Sequence, residues 1–333
     1  MVRAVSDGWP LARVLRDPSS ALTLDAVGWT ALIAIARAEQ MIGTLAVRLE
    51  GLAVPPEVTG ILADARASAA QGQVVALWEV EAARRALAPL GVPVVLLKGS
   101  AFAAAGLRAG EGRSIGDLDI LMPRAALEGV EAALLGAGWE WVKPDPYDDA
   151  YYRRWMHELP PLIHRDRDRM IDVHHTILPL TARITPDAAA LLGDSVEIAP
   201  GVRMLAPNDM LVHAAAHLFA DGDLAGGMRN LWDIHCLVAQ FGTQGLEARA
   251  AHHGLRREVA RAVRLAAALY GDPAALTLGD RLYLRRLTAR DGWGRATRPV
   301  TRLAFYMRSH WLRMPPMMLA RHLWTKWRRE RTA

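Results

Sequence analysis

The chain predicts an α+β fold, a small mixed sheet with helices set between an N-terminal and a C-terminal helical region. Three observations predict it. Short, β-branched apolar runs are confined to the middle of the chain, Ala-rich segments with helical spacing precede them, and helical patterning resumes at Pro207. The expected divisions are a helical region over 1–90, a core over 91–203 and a helical domain over 204–333.

A chain of 333 residues suits one large or two modest domains. With 52% apolar and 23% charged residues it is globular, which excludes a disordered chain. Cys236 is the single cysteine, so an internal disulfide and any multi-cysteine zinc or iron–sulfur site are excluded, and a cytoplasmic location is expected. The N-terminus alternates apolar and charged residues unlike a signal peptide, and no apolar run is long enough for a transmembrane segment. A net charge of +5 suits an anionic partner, phosphate or nucleic acid, without choosing between them.

Leu22 to Leu49 carries apolar residues at helical spacing and is closed by Pro55-Pro56, and a second long helix is expected from Pro56 to Leu87. Trp9, Trp29 and Trp78 read as core residues rather than base-stacking groups. Val92 to Leu97 reads as a buried strand, Asp117 to Met122 as the next, and Pro123 to Leu135 as a helix closed by Gly136 and Gly138. Trp139 to Val142 adds a strand. Residues 143–158 read as a surface connection anchored by aromatics, with Tyr151, Tyr152 and Trp155 as the stacking alternative. Leu159 to Ile163 and Met170 to Val173, joined by a charged linker, read as a hairpin.

Beyond Pro207, Asn208 or Asp209 marks a helix start. His213 and His217 share the spacing of a zinc pair but lack a third ligand, so a packed or hydrogen-bonded pair is expected. Arg229 and Asp233 lie one helical turn apart, which fits an ion pair and a substrate contact equally. Leu255 to Tyr270 is a further helix. The tail from Tyr306 to Arg331 mixes Trp, Met and Leu with basic residues and reads as a docking helix with a solvated basic edge.

The chemistry concentrates between Lys98 and Leu121. Gly99-Ser100 follows the first strand and gives a tight turn where backbone N–H groups and a hydroxyl can approach phosphate. Asp117 and Asp119, two apart in an extended apolar alternation, project from one face. Like charges so placed are costly unless a cation sits between them, and hard carboxylate oxygens suit Mg²⁺ or Mn²⁺. Asp172, flanked by Ile171 and Val173, is a charge in mid-strand, either on the exposed face of an edge strand or held there for a reason.

Strand, Gly-Ser, short helix and loop, then Asp-x-Asp in an apolar strand resembles the nucleotidyltransferase superfamily with the DNA polymerase β-like fold. LLKGSA, Arg113 four residues ahead of Asp117-Leu118-Asp119, and Met170-Ile-Asp-Val-His174 resemble, more narrowly, the bacterial uncharacterised nucleotidyltransferase family over about Val92 to Leu178. The resemblance implies a polymerase β-like core and transfer of a nucleoside monophosphate from an NTP, ATP being the expected one, to a hydroxyl or phosphate of a small molecule, peptide or protein. It implies Asp117, Asp119 and Asp172 as catalytic ligands of Mg²⁺ or Mn²⁺, and Lys98, Gly99, Ser100, Arg113 and His174 around the nucleotide. The role of His174, two after the third aspartate, stays open between orienting a carboxylate and touching phosphate. The loop between Ser100 and Asp117 is long and glycine-rich, which leaves the placement of Arg108 and Arg113 open. An inert nucleotide-binding module and an RNA-modifying enzyme using the basic tail are the other readings.

Overall fold

The computed structural model describes residues 7–142, 145–272, 275–313 and 317. The helices are α1 (Trp9–Arg16), α2 (Ala26–Ala38), α3 (Ile42–Arg48), α4 (Pro56–Leu87), α5 (Lys98–Ala104), α6 (Leu127–Gly136), α7 (Pro146–Trp155), α8 (Ala188–Gly193), α9 (Pro207–Ala216), α10 (Gly227–Phe241), α11 (Leu246–His252), α12 (Arg256–Tyr270), α13 (Leu278–Leu287) and α14 (Pro299–Arg313). The strands are β1 (Val94–Leu96), β2 (Asp117–Leu121), β3 (Trp139–Trp141), β4 (Leu162–His164), β5 (Met170–His174), β6 (Val196–Ala199) and β7 (Val202–Met204).

These strands form one mixed sheet in the order β3-β4-β5-β2-β1-β7-β6. β2 runs parallel to β5 and β1 parallel to β7, whereas the remaining neighbours are antiparallel. β5 therefore lies between β4 and β2, not at an edge, so Asp172 is no residue of an exposed edge strand. The long α4 packs against β2, α5 and α6, and α1 packs against α12. One hydrophobic core runs through Leu32 and Leu45, the strand residues Leu96, Ile120 and Val173, and Leu231 and Leu265 of the C-terminal helices.

Several local expectations change. The segment from Leu22 to Leu49 is two helices, broken where Gln40 takes a left-handed conformation (φ 55°). Residues 146–155 are a helix and not a loop, because the Asp145 carboxylate accepts from the N–H groups of Tyr147 and Asp148 while Pro146 occupies the first helical position. α9 starts on Pro207 with no side-chain cap, and the Asp209 carboxylate instead accepts from Arg249 on α11 at 2.5 Å and 2.6 Å. The β6–β7 hairpin adds two strands to the sheet beyond those the sequence predicts. Trp29 is buried, but Trp9 (40% exposed) and Trp78 (56%) are not core residues, and the Trp78 ring lies under the Arg167 guanidinium at 4.9 Å. The basic tail beyond Arg313 lies outside the described residues, Met317 excepted.

One cap carries a measurable consequence. Asp280 and Thr277 form a capping box at the start of α13, and Arg264 donates to the buried Asp280 carboxylate at 3.0 Å and 3.2 Å. Burial opposes ionisation of Asp280, but hydrogen bonds from Arg264 and Thr277 outweigh it and bring the carboxyl down to about 2. A depressed carboxyl contributes stability above its unfolded pKa and loses it as pH falls toward about 2. Asp280→Asn is expected to cost about 1–2 kcal/mol at pH 7, and the loss should shrink as urea unfolding is repeated toward pH 3.

Candidate active site

The parallel register of β2 and β5 sets Asp119 opposite Asp172. Asp117, two residues before Asp119, shares its face of β2. One ligand oxygen from each of Asp117, Asp119 and Asp172 lies within 4.8 Å of the others. Asp117 is exposed at the strand end, Asp172 is half-buried and Asp119 is buried.

The three carboxylates have different surroundings. Asp119 Oδ1 accepts from Lys98 Nζ at 2.6 Å and faces His174 Nε2 at 3.0 Å. Although burial opposes its charge, Lys98 and His174 hold the Asp119 carboxyl far below the usual range. Burial pushes the Asp172 carboxyl up to about 7, with the Glu158, Asp119 and Asp117 carboxylates adding to the rise. Three acids gathered where one cannot readily ionise is the arrangement a divalent cation relieves. Carboxylate oxygens alone in the donor set fit Mg²⁺ or Mn²⁺.

Lys98 occupies a strained position. It has φ 48°, a left-handed conformation at the first residue of α5, where a non-glycine residue costs about 1–2 kcal/mol. The turn after β1 is thus made by Lys98, not by Gly99-Ser100, which lie buried in the first turn of α5. Such strain persists where neighbouring contacts hold it, and here the contact held is that of the ammonium with Asp119. Burial opposes the Lys98 charge, yet Asp119 raises its pKa above the usual lysine value.

Gly99 has a packing reason of its own. A Cβ there would stand 2.7 Å from Arg113 Nε and 3.3 Å from Ile115 Cγ1. Arg113 cannot give way, because its guanidinium is clasped by the buried Asp233 on α10, and Arg229 Nη1 approaches the same carboxylate at 3.8 Å. Gly99→Ala is expected to destabilise the fold by about 1–3 kcal/mol, read as a lower urea midpoint, and the penalty should fall in an Arg113→Ala background.

Arg229 and Asp233 are therefore an i,i+4 pair, but the pairing extends to Arg113, 120 residues earlier in the chain. Arg229 also donates to Gln40 O and Thr44 Oγ1, both at 2.8 Å, tying α10 to the N-terminal helices. Lys98, Phe102, Arg113, His213, His217 and Asp233 line a cavity of about 60 Å³, which Lys98 links to Asp119. Burial keeps His213 and His217 well below the ordinary histidine pKa, His217 down to about 3, so both are neutral. Among the described residues neither joins a metal-ligand cluster. Arg108 lies elsewhere, its N–H donating to Gln240 Oε1 at 3.3 Å.

Two residues that sequence reasoning passed over stand against the site. His157 and Glu158 follow α7, and the isolated bridge between Glu158 and His174 brings them beside β5. His174 Nδ1 lies 3.3 Å from Glu158 Oε2, and the His157 and His174 rings are 5.2 Å apart. Periodicity gave no sign of them, because neither lies in a regular element. His175 points elsewhere, its Nε2 3.2 Å from Met156 O.

The family described as uncharacterised nucleotidyltransferase matches residues 25–271. No curated protein matches the chain.

Proposed function

We propose that this chain, which belongs to the uncharacterised nucleotidyltransferase family, transfers a nucleoside monophosphate from an NTP to a hydroxyl or phosphate on a small molecule, peptide or protein, using Asp117, Asp119 and Asp172 to hold Mg²⁺ or Mn²⁺. The observation that carries this reading is the gathering of those three carboxylates from adjacent parallel strands within 4.8 Å. Held by these three carboxylates, such an ion would supply Lewis-acid polarisation of a phosphoryl oxygen and would lower the pKa of an acceptor hydroxyl.

The chain's own residues do the rest by position and charge. Lys98 and His174 both engage Oδ1 of Asp119, which fixes the carboxylate and leaves Oδ2 for a ligand. Gly99 and Ser100, in the first turn of α5, carry N–H groups without intrahelical acceptors, suited to phosphate oxygens. Lys98 and Arg113 border one cavity, where their charges neutralise phosphate, and Asp233 keeps Arg113 in place. Orientation of donor and acceptor supplies much of the acceleration.

The acceptor is found by incubating the full chain with each labelled NTP, Mg²⁺ or Mn²⁺ and cell extract, then searching by mass spectrometry for whatever gains a nucleotide. ATP is the expected donor. Nucleotide binding without pyrophosphate release under every condition would mean an inert binding module and overturn the transferase reading.

A further inference from the structure

We propose that His157, Glu158 and His174 form a second divalent-cation site, of the two-histidine, one-carboxylate kind that takes Zn²⁺ or a similar borderline ion in preference to Mg²⁺. One donor atom from each residue lies within 4.8 Å of the others. His174 Nδ1 is 3.3 Å and His157 Nε2 3.7 Å from Glu158 Oε2. Donors each about 2.0–2.1 Å from a tetrahedral Zn²⁺ stand roughly 3.3–3.5 Å apart. Glu158 Oε2 therefore stands at ligand spacing from His174 Nδ1 and a few tenths of an ångström beyond it from His157 Nε2.

The other side of His174 supplies an independent argument. A metal-bound histidine usually gives its second ring N–H to a carboxylate, which fixes the tautomer and strengthens the ligand. His174 Nε2 stands 3.0 Å from Asp119 Oδ1, leaving Nδ1 turned toward Glu158. The ring is thus oriented as a carboxylate-supported ligand whose other nitrogen faces the Glu158 carboxylate.

The backbone holds this arrangement. His175 N donates to His157 O at 2.8 Å and Leu159 N donates to Val173 O at 2.9 Å, so residues 157–159 lie along the end of β5. Side-chain exposure is 12% for His157, 18% for Glu158 and 4% for His174, low enough to shield an ion and open enough to admit one. Nitrogen donors separate this site from the aspartates: imidazole favours Zn²⁺ or Co²⁺, and carboxylates favour Mg²⁺ or Mn²⁺. Three protein ligands leave a position for water or a substrate atom. Through His174 an ion here also steadies Asp119, coupling the two centres.

The site does not depend on the proposed reaction, and its test is separate. Metal-free full-length chain is titrated with Co²⁺ and followed by the visible absorption that low-coordinate Co²⁺ shows. Wild type should saturate at one equivalent, the band should be displaced by Zn²⁺ and resist excess Mg²⁺, and Asp117→Asn and Asp172→Asn should retain it. His157→Ala should abolish the band, and Glu158→Gln should weaken Co²⁺ binding about tenfold or more. Circular dichroism monitors folding, and the nearly isosteric Glu158→Gln carries the test if His157→Ala does not fold. Absence of the band in wild type, wild-type affinity in Glu158→Gln, or loss of the band in Asp172→Asn overturns the proposal. Pyrophosphate release with Mg²⁺ reads the aspartate site on its own.

Discussion

Asp172→Asn is expected to abolish nucleotidyl transfer while making the metal-free protein more stable. Transfer should fall about a thousandfold or more, a loss of at least about 4 kcal/mol of transition-state stabilisation. The stability change has the opposite sign because the wild-type carboxylate is crowded: burial, Glu158, Asp119 and Asp117 push its pKa up to about 7. An acid whose folded pKa exceeds its unfolded value contributes stability below the unfolded value, and that contribution is lost as pH rises through about 7. At pH 8 in EDTA the amide should therefore gain about 1–3 kcal/mol over wild type, and near pH 4 the gain should vanish. Urea unfolding at the two pH values checks the sign. Transfer within tenfold of wild type would remove Asp172 from the chemistry.

Asp233→Asn is the most damaging stability change expected. Its carboxylate is the counter-charge for two guanidiniums, and side-chain exposures of 5% for Asp233, 14% for Arg113 and 8% for Arg229 leave solvent little access. Burial pushes the Asp233 carboxyl up and the two arginines pull it back, while burial lowers Arg229 to about 10, still charged at neutral pH. Removing the carboxylate strands two buried cations, at a cost of about 3–5 kcal/mol. Arg113 already carries an unpartnered buried Nε and fills the space against Gly99, so its release should also raise KM for the nucleotide. A double-mutant cycle with Arg113→Ala should show coupling of about 1–3 kcal/mol, as expected for groups in direct contact. Additive losses would separate the two residues.

What the sequence revealed followed local pattern. Asp117, Asp119 and Asp172 stood out because a charge inside an apolar alternation is conspicuous, and the hairpin before β5 was marked by its charged linker. The long α4 was bounded by prolines and glycine. Features fixed by distant partners were hidden: the clasp between Arg113 and Asp233 joins residues 120 apart, and His157 and Glu158 meet His174 only because a short bridge lays them along β5. The sequence points to Gly99-Ser100 for the turn that Lys98 makes, since glycine is the usual left-handed residue and only the tertiary contact with Asp119 shows why a lysine takes that conformation. The helix at 146–155 has a local signal in Asp145-Pro146, a cap followed by a first-turn proline, which the polar, aromatic composition of the segment obscures.

Three aspartates from two parallel strands are proposed to hold one divalent-ion centre beside the start of α5. Crystals grown with Mn²⁺ and a non-hydrolysable NTP analogue, measured at the manganese absorption edge, test it most directly. An anomalous peak is expected bonded to oxygens of Asp117, Asp119 and Asp172, with the phosphates reaching toward Gly99, Ser100 and Lys98. Nucleotide bound with its phosphates elsewhere, and no manganese peak among the three carboxylates, would contradict it.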